Sequence, residues 1–160
     1  MSLSDTLHQG HAQRVLQRAL SSDRVPHAYI FHGPEGVGKE RLAMGFAARL
    51  LCEKPATQSL DEQTAEQVGV TPLSEGCGQC VDCRTIAAGN HPDIHLVHRY
   101  LNREHPDPLI RKRKGMTISI DVIRHFLIEP VRLTAQRGRG KVFVVREANR
   151  MTPQAQNALL

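Results

Sequence analysis

Residues 27–51 read His27-Ala-Tyr-Ile-Phe-His-Gly33-Pro-Glu-Gly36-Val-Gly38-Lys39-Glu40-Arg-Leu-Ala-Met-Gly-Phe-Ala-Ala-Arg-Leu-Leu51. A short apolar run, Ala28 to Phe31, leads into a loop holding Gly33, Gly36 and Gly38. Lys39 follows, and Leu42, Ala43, Phe46, Ala47 and Leu50 then recur at helical spacing. Strand, glycine-rich loop, lysine and amphipathic helix form the context a phosphate-binding loop requires. Glycines let the backbone curl so that successive N–H groups face an anion, and the helix start adds its dipole. The candidate cofactor-binding residues are therefore Gly33, Gly36, Gly38 and Lys39. The plain alternative is a glycine-rich turn with no ligand. The pattern G-x-x-x-x-G-K-[ST] fails at its last position, where Glu40 replaces the hydroxyl that ligates Mg²⁺.

Upstream, Ala12, Val15, Leu16, Ala19 and Leu20 predict a helix over residues 5–20. Ser21 to Pro26 is turn-rich. Downstream, residues 53–76 are poor in large apolar side chains and carry five acids against one Lys, which predicts a mobile inserted loop. Cys77-Gly-Gln-Cys80-Val-Asp-Cys83 follows. Three thiolates at this spacing turn onto one point, and Cys52 supplies a fourth. Cys52, Cys77, Cys80 and Cys83 would close a tetrahedral Zn²⁺ site of structural type, with no open position for catalysis. His91 or His95 is the alternative fourth ligand, and free or oxidised thiols are the alternative to a metal.

Arg84 to Gly89 predicts a short helix, and Asp93-Ile-His-Leu-Val-His-Arg99, which alternates apolar and polar residues, a second strand. Residues 100–116, with Arg111-Lys112 and Arg113-Lys114, read as a solvated loop, or else as a contact for phosphates or an acidic surface. Asp121 is expected to cap a helix with Val122, Ile123, Phe126 and Leu127 on one face, stopped by Pro130. A basic stretch, 132–141, precedes Val142-Phe-Val-Val145, a run typical of a strand buried on both faces. Thr152-Pro153 opens a last helix expected to run to Leu160.

In phosphate-loop ATPases a second apolar strand ends in Asp-Glu: the Asp holds the Mg²⁺ shell and the Glu polarises water. Here Val142–Val145 ends in Arg146-Glu147. At about 4 Å and an effective dielectric of about 20, a unit-charge interaction is about 4 kcal/mol. Exchanging an anion for a cation beside a divalent ion multiplies that change. Two metal-handling positions, 40 and 146, are altered together, so hydrolysis by this chain alone is not expected.

The 160 residues, 40% of them apolar, suit one domain with a real core. No run is long and apolar enough to span a membrane, and no signal peptide is visible, which predicts a cytoplasmic protein. In that compartment four cysteines favour metal ligands or free thiols over disulfides. The net charge of +5 permits nucleic-acid contact without establishing it.

The phosphate-loop series, the cysteine set, His91-Pro-Asp93, Ile120-Asp-Val-Ile-Arg124 and Lys141-Val-Phe-Val-Val to Asn157-Ala-Leu-Leu160 together resemble bacterial DNA polymerase III clamp-loader subunits. These motifs span nearly the whole chain. Gamma/tau members of that family keep an intact phosphate loop and an Asp-Glu strand end, whereas delta-prime members have degraded ATPase motifs. Glu40 and Arg146 place this chain's resemblance with delta prime. The spacing after Cys52 is longer than the family's usual one.

The resemblance implies an α/β fold: a P-loop AAA+ three-layer sandwich with a parallel sheet in order 5-1-4-3-2, carrying a small inserted zinc module of four cysteines. Residues 1–160 would be the N-terminal part of that AAA+ domain, truncated before its end, with 52–83 as the zinc-binding insertion and the lid and collar domains absent. Strands 1 (28–32), 2 (94–98) and 3 (142–145) would be present and strand 4 missing, so either a neighbouring chain fills the gap or strands 1 and 3 pair directly. The piece is then expected to be less stable than its parent. The implied function is that of a non-hydrolysing subunit helping to load the sliding clamp onto primed DNA. Its implied partners are gamma/tau and delta, with DNA met through the assembled complex. The arginine finger such a subunit lends to a neighbour lies downstream of the Asn-Ala-Leu-Leu motif. Structural Zn²⁺ is implied as cofactor; ATP binding is not. The alternatives are an ATP-hydrolysing gamma/tau-type subunit and, from another class, a zinc-dependent nucleic-acid-binding module. The second lacks the aromatics that base stacking needs.

Overall fold

A computed structural model of the chain describes residues 9–22, 24–58 and 73–160. It is a mixed helix–sheet protein that divides into two compact units, residues 1–91 and 92–160, each with its own apolar centre.

In the first unit, helix α1 (Gly10–Ser21) and helix α2 (Lys39–Leu51) supply Leu16, Leu42 and Phe46 to a small core, with Ala12, Leu20 and Leu50 packed around it. The α1 face differs from the expected one. Val15 is 48% exposed, while Gln13 and Gln17 are buried. Gln17 earns its place through its amide, which donates to the Ser74 carbonyl at 3.0 Å and accepts from the Ser74 N–H at 2.9 Å. It thereby acts as a one-residue strand partner. The start of the expected helix, residues 5–8, lies outside the described residues.

Residues 28–32 do not form the predicted strand: among the described residues no ladder includes them. The side chains nevertheless alternate as in a strand: Tyr29 and Phe31 pack into the core, and Tyr29 meets Phe46 edge-on at 5.1 Å. Ile30, between them, is 96% exposed. Alternation fixes which side chains point inward; a strand also needs a neighbour to hydrogen-bond.

Within the predicted loop 53–76 an antiparallel pair forms, β1 (Ala56–Gln58) with β2 (Leu73–Glu75), registered Thr57 to Ser74. Its middle, 59–72, lies outside the described residues. Helix α3 (Val81–Ala87) begins three residues earlier than expected because Cys80 caps it, accepting from the Cys83 N–H.

In the second unit, β3 (Ile94–Val97) and β4 (Val142–Val145) pair in parallel, Ile94 opposite Val142 and Val97 opposite Val145. This is the adjacency the resemblance implies for its strands 2 and 3. Strand β4 is half-buried throughout rather than buried on both faces. The core beneath gathers Val97, Leu101, Ile118, Val122, Ile123 and Ala155.

The segment read as a solvated loop is shaped instead by a 3-10 turn, Arg99–Glu104, and helix α4 (Pro108–Arg111), which bury Leu101 and Ile110. Ser119, not Asp121, is the cap residue of helix α5 (Ile120–Ile123); Asp121 lies inside the first turn and pairs with Arg113 at 2.7 Å. Helix α5 widens into a π-helical stretch, Arg124–Ile128, before α6 (Glu129–Val131). Pro130 lies in that final turn and has no N–H to donate back along the helix, which ends just after it. Thr152 caps α7 (Pro153–Asn157) as predicted, but the helix stops at Asn157 rather than Leu160. Among the described residues no helix is long and apolar enough to cross a membrane.

Candidate phosphate loop, thiol centre and strand-end carboxylate

The loop before α2 carries Gly33, Gly36 and Gly38 at φ of 147°, 79° and 94°. Gly38 is also the residue from which α2 starts, and a left-handed backbone there is what glycine permits without a Cβ clash. Lys39 folds back onto the loop: its Nζ donates to the carbonyls of Gly33 at 2.9 Å and Pro34 at 2.6 Å. Between this loop, α1 and α2 lies a cavity of about 30 Å³ lined by Ala12, Phe31, His32, Val37, Lys39 and Leu42. That is room for a water or two, far below a ligand pocket of roughly 300 Å³ or more. The four candidate loop residues are thus assembled, with the ammonium satisfied by the loop's own oxygens. Glu40, the residue at the hydroxyl position, is exposed.

The four cysteines come together from three elements. Cys52 ends α2, Cys77 and Cys80 lie in the turn after β2, and Cys83 sits in the first turn of α3. Their Sγ atoms lie within 4.8 Å of one another, and Cys52 and Cys80 approach to 3.9 Å. A tetrahedron with Zn–S bonds of about 2.3 Å has an S···S edge of about 3.8 Å, so the donor set fits that ion in number, chemistry and size. Backbone N–H groups already point at the sulfurs: Cys77 to Cys52 at 3.2 Å, Cys80 to Cys77 at 3.3 Å and Cys83 to Cys80 at 3.4 Å. These are the bonds that stabilise thiolates. The Cys80 and Gln79 backbones bring Cys77 down to about 6, while burial pushes Cys52 and Cys83 up. His91 is not in the cluster; its Nε2 lies 3.3 Å from the buried Asp82 carboxylate. His95 stacks on Phe143 across the β3–β4 pair, ring centroids 4.7 Å apart.

Spacing gave no sign of Gly76. A Cβ there would stand 3.1 Å from both the Ala48 carbonyl oxygen and the Cys83 Sγ, so even a methyl group would crowd the thiol centre and require its neighbours to give by a few tenths of an ångström.

At the end of β4, Glu147 adopts φ 51°, a left-handed conformation costly for a non-glycine residue. Both carboxylate oxygens are engaged. Arg99 Nε reaches Oε2 at 3.0 Å, and Arg150 Nε reaches Oε1 at 3.1 Å. One guanidinium comes from the turn after β3 and the other from the turn after β4. Both carboxylate oxygens are thereby committed to guanidinium groups at the end of the strand.

Asp93, the last residue of the His-Pro-Asp motif, is fully buried. Each of its oxygens accepts an N–H at 2.7 Å, one from Gln136 and one from Arg137. Its own carbonyl accepts from Val142 N–H at 2.9 Å and extends the β3–β4 ladder. The same residue thus registers the sheet and ties down the basic stretch before β4.

A parallel strand pair, a glycine loop opening a helix and a cluster of four thiols define a mixed α/β protein with a metal-type centre. A family model described as DNA polymerase III, delta subunit, matches residues 8–160, and the chain belongs to that family, of the delta′ type. The DNA polymerase III subunit delta′ of Pseudomonas aeruginosa is 36% identical over 134 residues, covering 84% of this chain and 32% of that protein. The subunit delta′ of Bacillus subtilis is 28% identical over 152 residues, 95% of this chain and 36% of that protein. The subunit tau of Escherichia coli is 30% identical over 159 residues, 99% of this chain and 20% of that protein. The chain therefore spans about a third of the length of these delta′ relatives.

Proposed function

We propose that the chain is part of a delta-prime-like, non-hydrolysing subunit of the DNA polymerase III clamp loader, which helps to place the sliding clamp on primed DNA. Residues 1–160 would form the N-terminal part of its AAA+ three-layer domain, working in the cytoplasm beside gamma/tau and delta subunits. The observation that carries this reading is the state of Glu147: the carboxylate at the water-polarising position is bound by Arg99 and Arg150 and turned on a left-handed backbone. It adds to Glu40 at the hydroxyl position and Arg146 at the Mg²⁺-shell position. Three parts of a hydrolytic centre are altered while the glycines of the loop are kept. Such a subunit contributes shape and a fixed surface rather than turnover.

In this reading Cys52, Cys77, Cys80 and Cys83 hold Zn²⁺ within the insertion 52–83. Four sulfurs leave no vacancy, so the ion supplies cross-linking of three chain segments rather than Lewis-acid chemistry. The residues themselves place the sulfurs, direct backbone N–H groups at them and, through Gly76, let the α2 end approach.

The similarity to tau subunits keeps one rival reading, an ATP-hydrolysing subunit that uses Lys39 on the phosphates. Full-length protein incubated with ATP and Mg²⁺ separates the two. No turnover above buffer supports the proposal, whereas turnover abolished by Lys39→Ala establishes the rival.

A further inference from the structure

The charge of the chain is divided unevenly. Residues 92–160 hold thirteen Lys and Arg against six Asp and Glu, a net +7, while residues 1–91 hold eight against ten, a net −2. Within the basic unit, residues 132–140 carry exposed Arg132, Arg137 and Arg139 with no acidic and no aromatic residue. A run of this kind is ordinarily a solvated loop. This one is anchored from beneath. The fully buried Asp93 carboxylate accepts the N–H groups of Gln136 and Arg137 at 2.7 Å each, and Lys141 Nζ closes the neck on the Pro130 carbonyl at 2.7 Å. Burying a carboxylate is costly unless it is hydrogen-bonded, and the loop's own N–H groups supply those bonds. The effect is to fix the backbone from which Arg137 and Arg139 project, removing ordering entropy that binding would otherwise cost.

We propose that the loop 132–140 grips the phosphate backbone of duplex DNA through Arg137 and Arg139, with Asp93 as its positioning residue. Guanidinium forks match phosphate oxygens two at a time. The lack of aromatic residues argues against stacking on unpaired bases and for sequence-independent contact with a duplex. The partner's identity rests on the proposed clamp-loader role; the pinned geometry does not.

The test uses the full-length protein assembled with its companion subunits, and fluorescence anisotropy of a labelled primed duplex across a salt series. For the Arg137→Ala/Arg139→Ala double variant the slope of log K against log salt falls by about 1.8, two phosphates at about 0.9 each. The Lys double variant restores most of the slope. Asp93→Asn weakens binding although both arginines remain. An unchanged slope in the alanine variant overturns the proposal, as does a loss of subunit association with the DNA slope intact, which would assign the loop to an acidic protein surface. Wild-type affinity in Asp93→Asn overturns the positioning role. If that variant does not fold, the exposed arginines still decide the contact. Failure of the clamp-loader role itself is seen separately, as a wild-type chain that does not enter the assembly.

Discussion

Replacing Cys52 by Ser tests the thiol centre at its least obvious member, 25 residues before Cys77. Serine is close to cysteine in size but does not furnish a thiolate, so the change removes a ligand with little change of packing. Structural Zn²⁺ in small domains contributes about 10–16 kcal/mol of apparent binding free energy at pH 7. Shared over four equivalent sulfurs, that is about 2.5–4 kcal/mol per ligand. The core of the surrounding unit is small, with Leu16, Leu42 and Phe46 at its centre, and domain stabilities are only about 5–15 kcal/mol in total. The loss is therefore a large part of what holds α2, the β1–β2 pair and α3 together. For a domain of this size each kcal/mol moves the melting temperature by roughly 4–8 °C, so Cys52→Ser is expected to lower the transition of this unit by roughly 10 °C or more. The assay is elemental analysis of the purified full-length protein followed by thermal unfolding with and without chelator. The wild type should carry one zinc per chain and lose stability on chelation; the variant should start near the chelated value. Wild-type protein that carries no zinc, or a Cys52→Ser protein that keeps both its zinc and its transition, refutes the assignment.

Asp93→Ala strips the buried acceptor from two part-buried, charge-assisted hydrogen bonds at about 1.5–3 kcal/mol each, so it should cost about 3 kcal/mol or more, with exchange of the Gln136 and Arg137 amides accelerated at least ~100-fold. Protection unchanged at those two amides would show that the anchor is not what orders the loop. Ile123→Ala opens a hole in the fully buried core of the second unit and should cost about 2–5 kcal/mol in denaturant unfolding; a shift below about 1 kcal/mol would mean the site collapses freely. Burial beside Phe143 and the charge of Lys141 lower the His95 pKa, so the unfolded state binds its proton more readily. Its contribution to stability is complete above pH 6.5, the ordinary histidine value, and is lost as pH falls below it. His95→Phe should flatten that acid limb, and an equally steep limb in the variant would assign the sensitivity elsewhere.

The parts of this fold legible in the sequence are those whose cause is local. Helix α2, the cap at Thr152 and the C-x-x-C-x-x-C turn each follow from residues within a few positions of one another. The parallel strands β3 and β4 announce themselves, β3 by apolar–polar alternation and β4 by an apolar run, and their pairing followed from the family resemblance rather than from composition. What escaped is set by partners far along the chain. Gln17 completes β2 from 57 residues away, Asp93 holds a loop 43 and 44 residues on, and Arg99 binds Glu147 across 48 residues. No window of sequence contains both halves of these pairs. Residues 28–32 show the converse: the alternation of Tyr29, Ile30 and Phe31 is correct for a strand, yet a ladder depends on a neighbour that the pattern does not supply. The polar composition of 53–76 likewise concealed β1 and β2, whose pairing is held by backbone hydrogen bonds and by Gln17 and Arg49 on Ser74 rather than by an apolar face.

The central claim is that the chain keeps a loop shaped for phosphates but has lost the groups that would turn ATP over. The most direct measurement is steady-state ATP hydrolysis by the purified full-length protein, alone, with saturating Mg²⁺, beside its Lys39→Ala variant. The account predicts that both match the buffer rate. Turnover in the wild type that disappears in the variant would contradict it.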